Sequence, residues 1–254
     1  MTLPYRVDRT IDIRAPRESV FRFFTDPARW ASWWGAGSTI DARPGGPFLI
    51  RYSDGTEATG EVLALIAPEQ IAFSFGFVSG APIPAGGSRV TIRLARAGAG
   101  TRVHLSHEFA EEPVRDEFVQ GWRYQLSLFA NVVADEIHAG AAALVDAWFE
   151  AWREPDGAVR DQTLARIAVP EVHVRDRFSC TDGAGDLSPH LAAAQRFMPG
   201  IRLERRGDVR HCQGTALVDW AALTGDGQER AVGTNVFAFG ADGRIESVVG
   251  FWKM

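Results

Sequence analysis

The feature that most constrains this fold is a change in hydropathy period, from two to about 3.6, that separates a run of strands from a long helix. Between Ile40 and Phe109, apolar residues recur at every second position. They are Phe48, Ile50 and Tyr52; Ile71, Phe73, Phe75 and Phe77; Val90, Ile92 and Leu94; then Val103, Leu105, His107 and Phe109. Alternation of this kind puts one set of side chains on one face of a pleated sheet. Turn-forming segments separate the runs: RPGG, SDGT, APEQ, IPAGG and RAGAG. From Val114 to His138 the period becomes helical, with Phe118, Trp122, Gln125 or Leu126, Phe129 and Val133 on one face. Before the strands come an alternating segment, Tyr5 to Ile13, and two short helical segments, RESVFRFF and TDPARWASWW. The expected first domain is therefore a strand, two short helices, an antiparallel sheet and a long closing helix.

Near Gly140 the pattern starts again. A helix from Ala141 to Trp152 carries Leu144, Trp148 and Trp152 at helical spacing, and Glu154-Pro155-Asp156-Gly157 breaks it. Next come a helix, DQTLARIA, a short strand, EVHVRD, and a helix from about Leu187 to Phe197. Four strand-like runs finish the chain, the last two joined by the hairpin turn GADG. The expectation is an α+β chain of two domains, 1–138 and 139–254. Its 254 residues are enough for each half to bury a sheet face under helices.

Charge limits the partners. Lys and Arg number 27 against 32 Asp and Glu, a net charge of −5, and the basic residues form no stripe. Nucleic acid is therefore not an expected partner, because phosphate binding needs concentrated positive charge. No apolar run reaches the ~20 residues of a membrane helix. The opening MTLPYRVDRTIDI lacks a charged head followed by an apolar run, so neither membrane insertion nor secretion is expected. Cys180 and Cys212 have no metal-ligand or framework spacing, and a reducing cytoplasm is the expected setting. His104, His107 and Glu108 stand on a strand, where 104 and 107 face opposite sides, so no metal is expected there. Phosphate-loop and dinucleotide fingerprints are absent, and no cofactor is expected.

The first half resembles the START-related helix-grip proteins, in the branch named for activators of the heat-shock protein 90 ATPase. The residues that carry this are RTIDIRAPRESVFRFFTDPARWASWW, PGGPFLIRYSDG, GEVLALIAPEQIAFSF, TRVHLSHEF and Gly121-Trp122. The resemblance implies the fold and a gap between helix and sheet that takes an apolar ligand. The candidates for contacting it are Trp34, Phe73, Phe75, His107, Trp122 and Phe129. His107 is the odd polar residue on an apolar face, able to hydrogen-bond a ligand oxygen or equally a buried hydroxyl or water, and the Trp33-Trp34 pair falls at the expected pocket mouth.

The second half resembles the SnoaL-like branch of the nuclear transport factor 2-like fold, a cone-shaped α+β barrel. It does so through AWFEAW, VHVRDRF, MPGIRLE, VDW followed by GDGQ, and GTNVFAFGADGRIESVVGFW. That resemblance implies a general-base role for Asp176 and an oxyanion-facing position for Asn235. It places Trp148 where a hydrogen-bonding tyrosine stands, Trp252 on an apolar wall, and Gly250 near an acidic position of the epoxide-hydrolase branch. Asn235 can donate a hydrogen bond but has no proton to give up. Strand alternation points one of Asp219 and Trp220 inward, and Trp220 is the better wall residue. His190, after Ser188-Pro189, reads as a residue at a helix start.

Three readings follow. The leading one is a binder of a small hydrophobic or aromatic metabolite, for sequestration, transport or resistance. The second is a polyketide cyclase- or steroid isomerase-like enzyme with Asp176 as base. The third is a scaffold dimerising through Val232, Thr234, Val236 and Phe251 on the outer face of the second sheet.

Overall fold

In the first unit the alternation becomes one antiparallel sheet; the computed structural model describes residues 2–253. Its elements are β1 (Tyr5–Ile13), α1 (Arg17–Arg22), α2 (Pro27–Trp34), β2 (Thr39–Ile40), β3 (Pro47–Arg51), β4 (Glu57–Ile66), β5 (Gln70–Phe77), β6 (Ser88–Ala97), β7 (Gly100–Phe109) and α3 (Glu112–Ile137). The strand order is β1-β7-β6-β5-β4-β3-β2. The residues singled out by alternation are the buried ones: Val90, Ile92, Leu94, Val103, Leu105, His107 and Phe109 all lie in the core. Helix α2 forms where Asp26 accepts from the amides of Ala28 at 2.9 Å and Arg29 at 3.0 Å, with Pro27 in the first turn. It delivers Trp30, Trp33 and Trp34 to the interior, where all three are buried.

The second unit comprises α4 (Ala141–Arg153), α5 (Gly157–Ile167), β8 (Ala168–Arg175), β9 (Cys180–Asp182), α6 (Ala184–Phe197), β10 (Arg202–Cys212), β11 (Thr215–Leu223), β12 (Glu229–Phe239) and β13 (Ile245–Lys253). Its six strands run β10-β11-β12-β13-β8-β9, with β13 and β8 parallel and the other pairs antiparallel. The sheet ends at β10 and β9 without joining them, so the expected barrel is instead an open sheet. Val145, Trp148 and Phe149 of α4 are buried with Phe237, Phe239 and Val248 in one apolar core.

The chain forms two compact units that meet between Val133 and Ala134, inside the long helix. Two details depart from the sequence reading. Helix α6 begins at Ala184, so Pro189 lies within the helix and not at its start. Strand β9 has no counterpart among the expected elements; at three residues it is too short for alternation to register. On the outer sheet face Val232, Thr234 and Val236 are half-buried and Phe251 is exposed. Among the described residues no single helix is long and apolar enough to cross a membrane.

Asp156 caps α5 by accepting from the amides of Ala158 at 2.8 Å and Val159 at 3.2 Å. Removing such a cap costs about 1 kcal/mol. Asp156→Ala is therefore expected to speed hydrogen exchange in the first turn of α5 about fivefold, while the strands of the same unit keep their protection.

Candidate functional site

The interior of the first unit is filled by its own rings. Phe73 packs edge-on against Trp30 at 6.0 Å and Phe48 at 5.1 Å, and Phe129 meets Phe24 and Trp33 at 4.9 Å each. Phe73 and Phe129 lie in this packed interior, and neither borders the cleft described next. Beside α3 there remains a cleft of about 180 Å³ lined by Trp34, Tyr52, Phe75, Phe118, Trp122 and Gln125, among others. Sites for drug-sized ligands run to roughly 300–1,000 Å³, so this one is small. Burial, with the Asp54 carboxylate nearby, raises the Tyr52 phenol above its usual pKa. Trp33 and Trp34 do not form an exposed mouth: both are buried, and their rings lie 4.2 Å apart.

Of the alternatives open to His107, the structure shows the bond to a buried hydroxyl. The Trp122 indole N–H donates to its Nδ1 at 2.9 Å, and an indole nitrogen can only donate. The proton of the neutral ring is therefore on Nε2, which donates to Ser88 Oγ at 2.8 Å. Ser88 in turn donates to the Phe75 carbonyl at 2.9 Å. Both nitrogens are used, and no polar atom of the ring is left for a ligand. Burial pushes the His107 pKa down to about 3, which keeps the ring neutral. This chain of bonds ties α3 to β7, β6 and β5.

The second unit holds a differently built site. Trp148, Trp152, Asp176, Met198, Trp220, Asn235, Gly250 and Trp252 border a narrow void of about 30 Å³, with four further apolar side chains. Trp152, Asp176, Met198 and Trp252 also border a wide cleft of about 620 Å³, together with Phe178, Ser179, His190 and Phe197. Asp176 therefore stands where a one-water-sized recess meets a ligand-sized space.

Local chemistry fixes each polar group. Asp176 follows the end of β8 and closes a tight turn: its Oδ1 accepts from the Phe178 amide at 2.6 Å, and its own amide donates to Ser179 O at 2.9 Å. Its Oδ2 has no partner among the described residues. Trp220 on β11 points inward and donates from Nε1 to Asn235 Oδ1 at 2.9 Å. That bond settles which way the Asn235 amide lies and leaves its NH₂ group as an unused donor. Trp252, 4.8 Å from Trp220 ring to ring, has a buried indole N–H with no partner among the described residues. Asp219 faces the other way and accepts from the Thr234 hydroxyl.

Two strand glycines make room for this arrangement. A Cβ on Gly250, the register partner of Asn235, would stand 2.9 Å from Asp176 Cβ and 3.0 Å from Asn235 Oδ1. A Cβ on Gly233, the register partner of Trp220, would come within 2.4 Å of the Trp220 ring. The two side chains converge over Gly250 because it has none of its own.

Residues 14–134 match the model of the family described as Activator of Hsp90 ATPase homolog 1-like protein. That segment is similar to this family, and the match covers slightly under half of the chain. It runs from the end of β1 to near the end of α3, and so contains the His107 chain and the small cleft but none of the Asp176 site. No curated protein matches the sequence significantly. Among solved structures, the chain is similar to a SnoaL-like family protein of Agrobacterium tumefaciens with a suggested isomerase activity. Identity is 24%, coverage 47% of this chain and 99% of that one, and the TM-score 0.43. It is similar to CalU16 of Micromonospora echinospora at 26% identity, over 52% of this chain and 77% of that one, with a TM-score of 0.42. It is also similar to the Aha1 dimer of Colwellia psychrerythraea at 17% identity, over 48% and 90%, with a TM-score of 0.43.

In the second unit, sequence reasoning missed Ser179 and Gly233 and read His190 only as a helix-start residue. His190 Nε2 lies 2.8 Å from Ser179 Oγ, and both border the wide cleft. Reading Ser188-Pro189 as a helix start places His190 at a surface turn, whereas α6 is already under way there. Gly233 left a usable signal, a glycine inside a strand pattern, which often marks close approach.

Proposed function

We propose that the second unit binds a flat, mostly apolar small molecule bearing a carbonyl oxygen, with that oxygen facing Asn235 and Trp252. The observation that carries this reading is the pair of unused donors at the narrow end, the Asn235 NH₂ and the buried Trp252 N–H. A donor held away from water without an acceptor, as the Trp252 N–H is, costs about 1–3 kcal/mol. One carbonyl oxygen, with two lone pairs, can accept from both. The walls of Trp152, Phe178, Phe197 and Trp252 offer stacking area for a planar body, and about 620 Å³ beyond Asp176 suits a ligand of that size. Sequestration, transport and resistance all require only such binding.

The test is titration of the full chain with 2-acetonaphthone, read by tryptophan fluorescence. Saturable quenching in the micromolar range is expected, with Asn235→Leu weakening it about fivefold. A wild-type protein that shows no saturable binding overturns the reading.

A second reading, proton transfer, is favoured by the uncommitted Oδ2 of Asp176 beside these donors. A carboxylate there can remove a proton α to the carbonyl while Asn235 and Trp252 hold the developing enolate oxygen. In this reading the reaction class is isomerisation or cyclisation.

A further inference from the structure

We infer that the wide end of the same cleft is a hydroxyl-recognition site formed by Ser179 and His190, so that the ligand is a hydroxylated flat ketone, oxygenated at both ends. The inference rests on the reading above for the carbonyl end and adds a second polar anchor. Ser179 is buried just before the short strand β9, and His190 lies in α6; Ser179 Oγ and His190 Nε2 are 2.8 Å apart. Trp152 packs edge-on to the imidazole at 6.1 Å. Among the described residues the pair makes no other side-chain hydrogen bond.

What the pair has left to offer selects the ligand. If Nε2 carries the proton, it donates to Ser179 Oγ, leaving the Ser179 O–H as a donor and His190 Nδ1 as an acceptor. If Nδ1 carries it, Ser179 donates to Nε2, leaving Nδ1–H as a donor and the Ser179 oxygen as an acceptor. In either tautomer one donor and at least one acceptor remain. A ligand hydroxyl, which both donates and accepts, matches that pair; a carbonyl oxygen uses only half of it. The rest of the wide end is apolar, from Phe178, Phe197, Met198 and Trp252, with Asp176 at its inner edge. A hydroxyl placed elsewhere along these walls would be desolvated without a partner.

The experiment compares 2-acetonaphthone with its 6-hydroxy and 7-hydroxy derivatives by fluorescence titration. At least one hydroxy isomer is expected to bind wild type about five- to tenfold more tightly than the parent ketone. In His190→Phe and in Ser179→Ala, which keeps the shape of the turn, that ratio is expected to fall to near one. An unchanged ratio in both variants, or no preference for either isomer in wild type, overturns the inference. The carbonyl reading fails separately. It falls if Asn235→Leu leaves the affinity for the parent ketone intact, even where a His190-dependent preference for the hydroxyl persists.

Discussion

Acidification from pH 6.5 towards 3 is expected to weaken the first unit by up to about 1.4 kcal/mol per pH unit through His107 alone. In the folded chain burial pushes its pKa down to about 3, against an ordinary value of 6.5. Above pH 6.5 the ring is neutral in both states, and its hydrogen bonds to Trp122 and Ser88 contribute fully. Between the two values the unfolded chain takes up a proton and the folded one does not. Unfolding is therefore favoured as pH falls, and the loss levels off only below about 3, when the folded ring is protonated too. The upper limit over that span is about 4–5 kcal/mol, a large share of a domain's stability. The measurement is denaturant unfolding of wild type and His107→Gln between pH 7 and 4. The variant has an acceptor for Trp122 and a donor for Ser88, but does not titrate. Its stability should change less steeply with pH. Exposed carboxylates with lowered pKa, such as Asp12 beside Arg102 and the Asp26 cap, act in the same direction in both proteins and cancel in the comparison. Equal slopes would show that His107 is not coupled to folding.

His107 also shows where a sequence stops being informative. Alternation placed it on the buried face of β7, which is a local property of the strand. Its role depended on Trp122 of α3 and Ser88 of β6, 15 and 19 positions away, whose approach no period encodes. Phe73, Phe75 and Phe129 show the same limit from another side. Their pattern marks an apolar interior, but a filled interior and a hollow one have the same pattern. Packing decided the matter in the first unit by filling most of the space with rings. In the second unit, the resemblance of VHVRDRF and GTN to SnoaL-like motifs pointed to Asp176 and Asn235, and the structure places the two around Gly250. The Ser179–His190 pair was hidden because it joins the edge of a three-residue strand to a helix that starts a turn before Ser188-Pro189 suggests.

The two units thus use tryptophan in different ways. In the first, the Trp122 N–H is consumed by His107, and the residue fastens a helix to a sheet. In the second, the Trp220 N–H orients Asn235, while the Trp252 N–H is left unused next to an open cleft. Groups that satisfy one another contribute to stability. Unused groups beside a ligand-sized space are what binding or catalysis requires, and this is why the proposed chemistry is assigned to the second unit.

Replacing the carboxylate at that point separates binding from proton transfer. If Asp176 is a base, the wild-type chain will exchange the methyl protons of bound 2-acetonaphthone with D₂O faster than buffer does, and Asp176→Asn will slow the protein-dependent rate by about 10²–10⁴-fold. Asparagine keeps the Oδ1 acceptor that holds the Phe178 amide at 2.6 Å, so the turn after β8 is preserved. Affinity for the ketone should then change far less than the exchange rate, since the donors to its oxygen belong to Asn235 and Trp252. Gly250→Ala supplies the complementary result. Its methyl group would enter the space between Asp176 and Asn235, 2.9 Å from one side chain and 3.0 Å from the other, and so should reduce both affinity and exchange. Wild-type exchange no faster than buffer, with saturable binding intact, would rule out the base role and leave a binding protein. An Asp176→Asn rate equal to wild type would instead mean that the proton goes to another group. His190, which borders the same wide cleft, would be the first residue to replace.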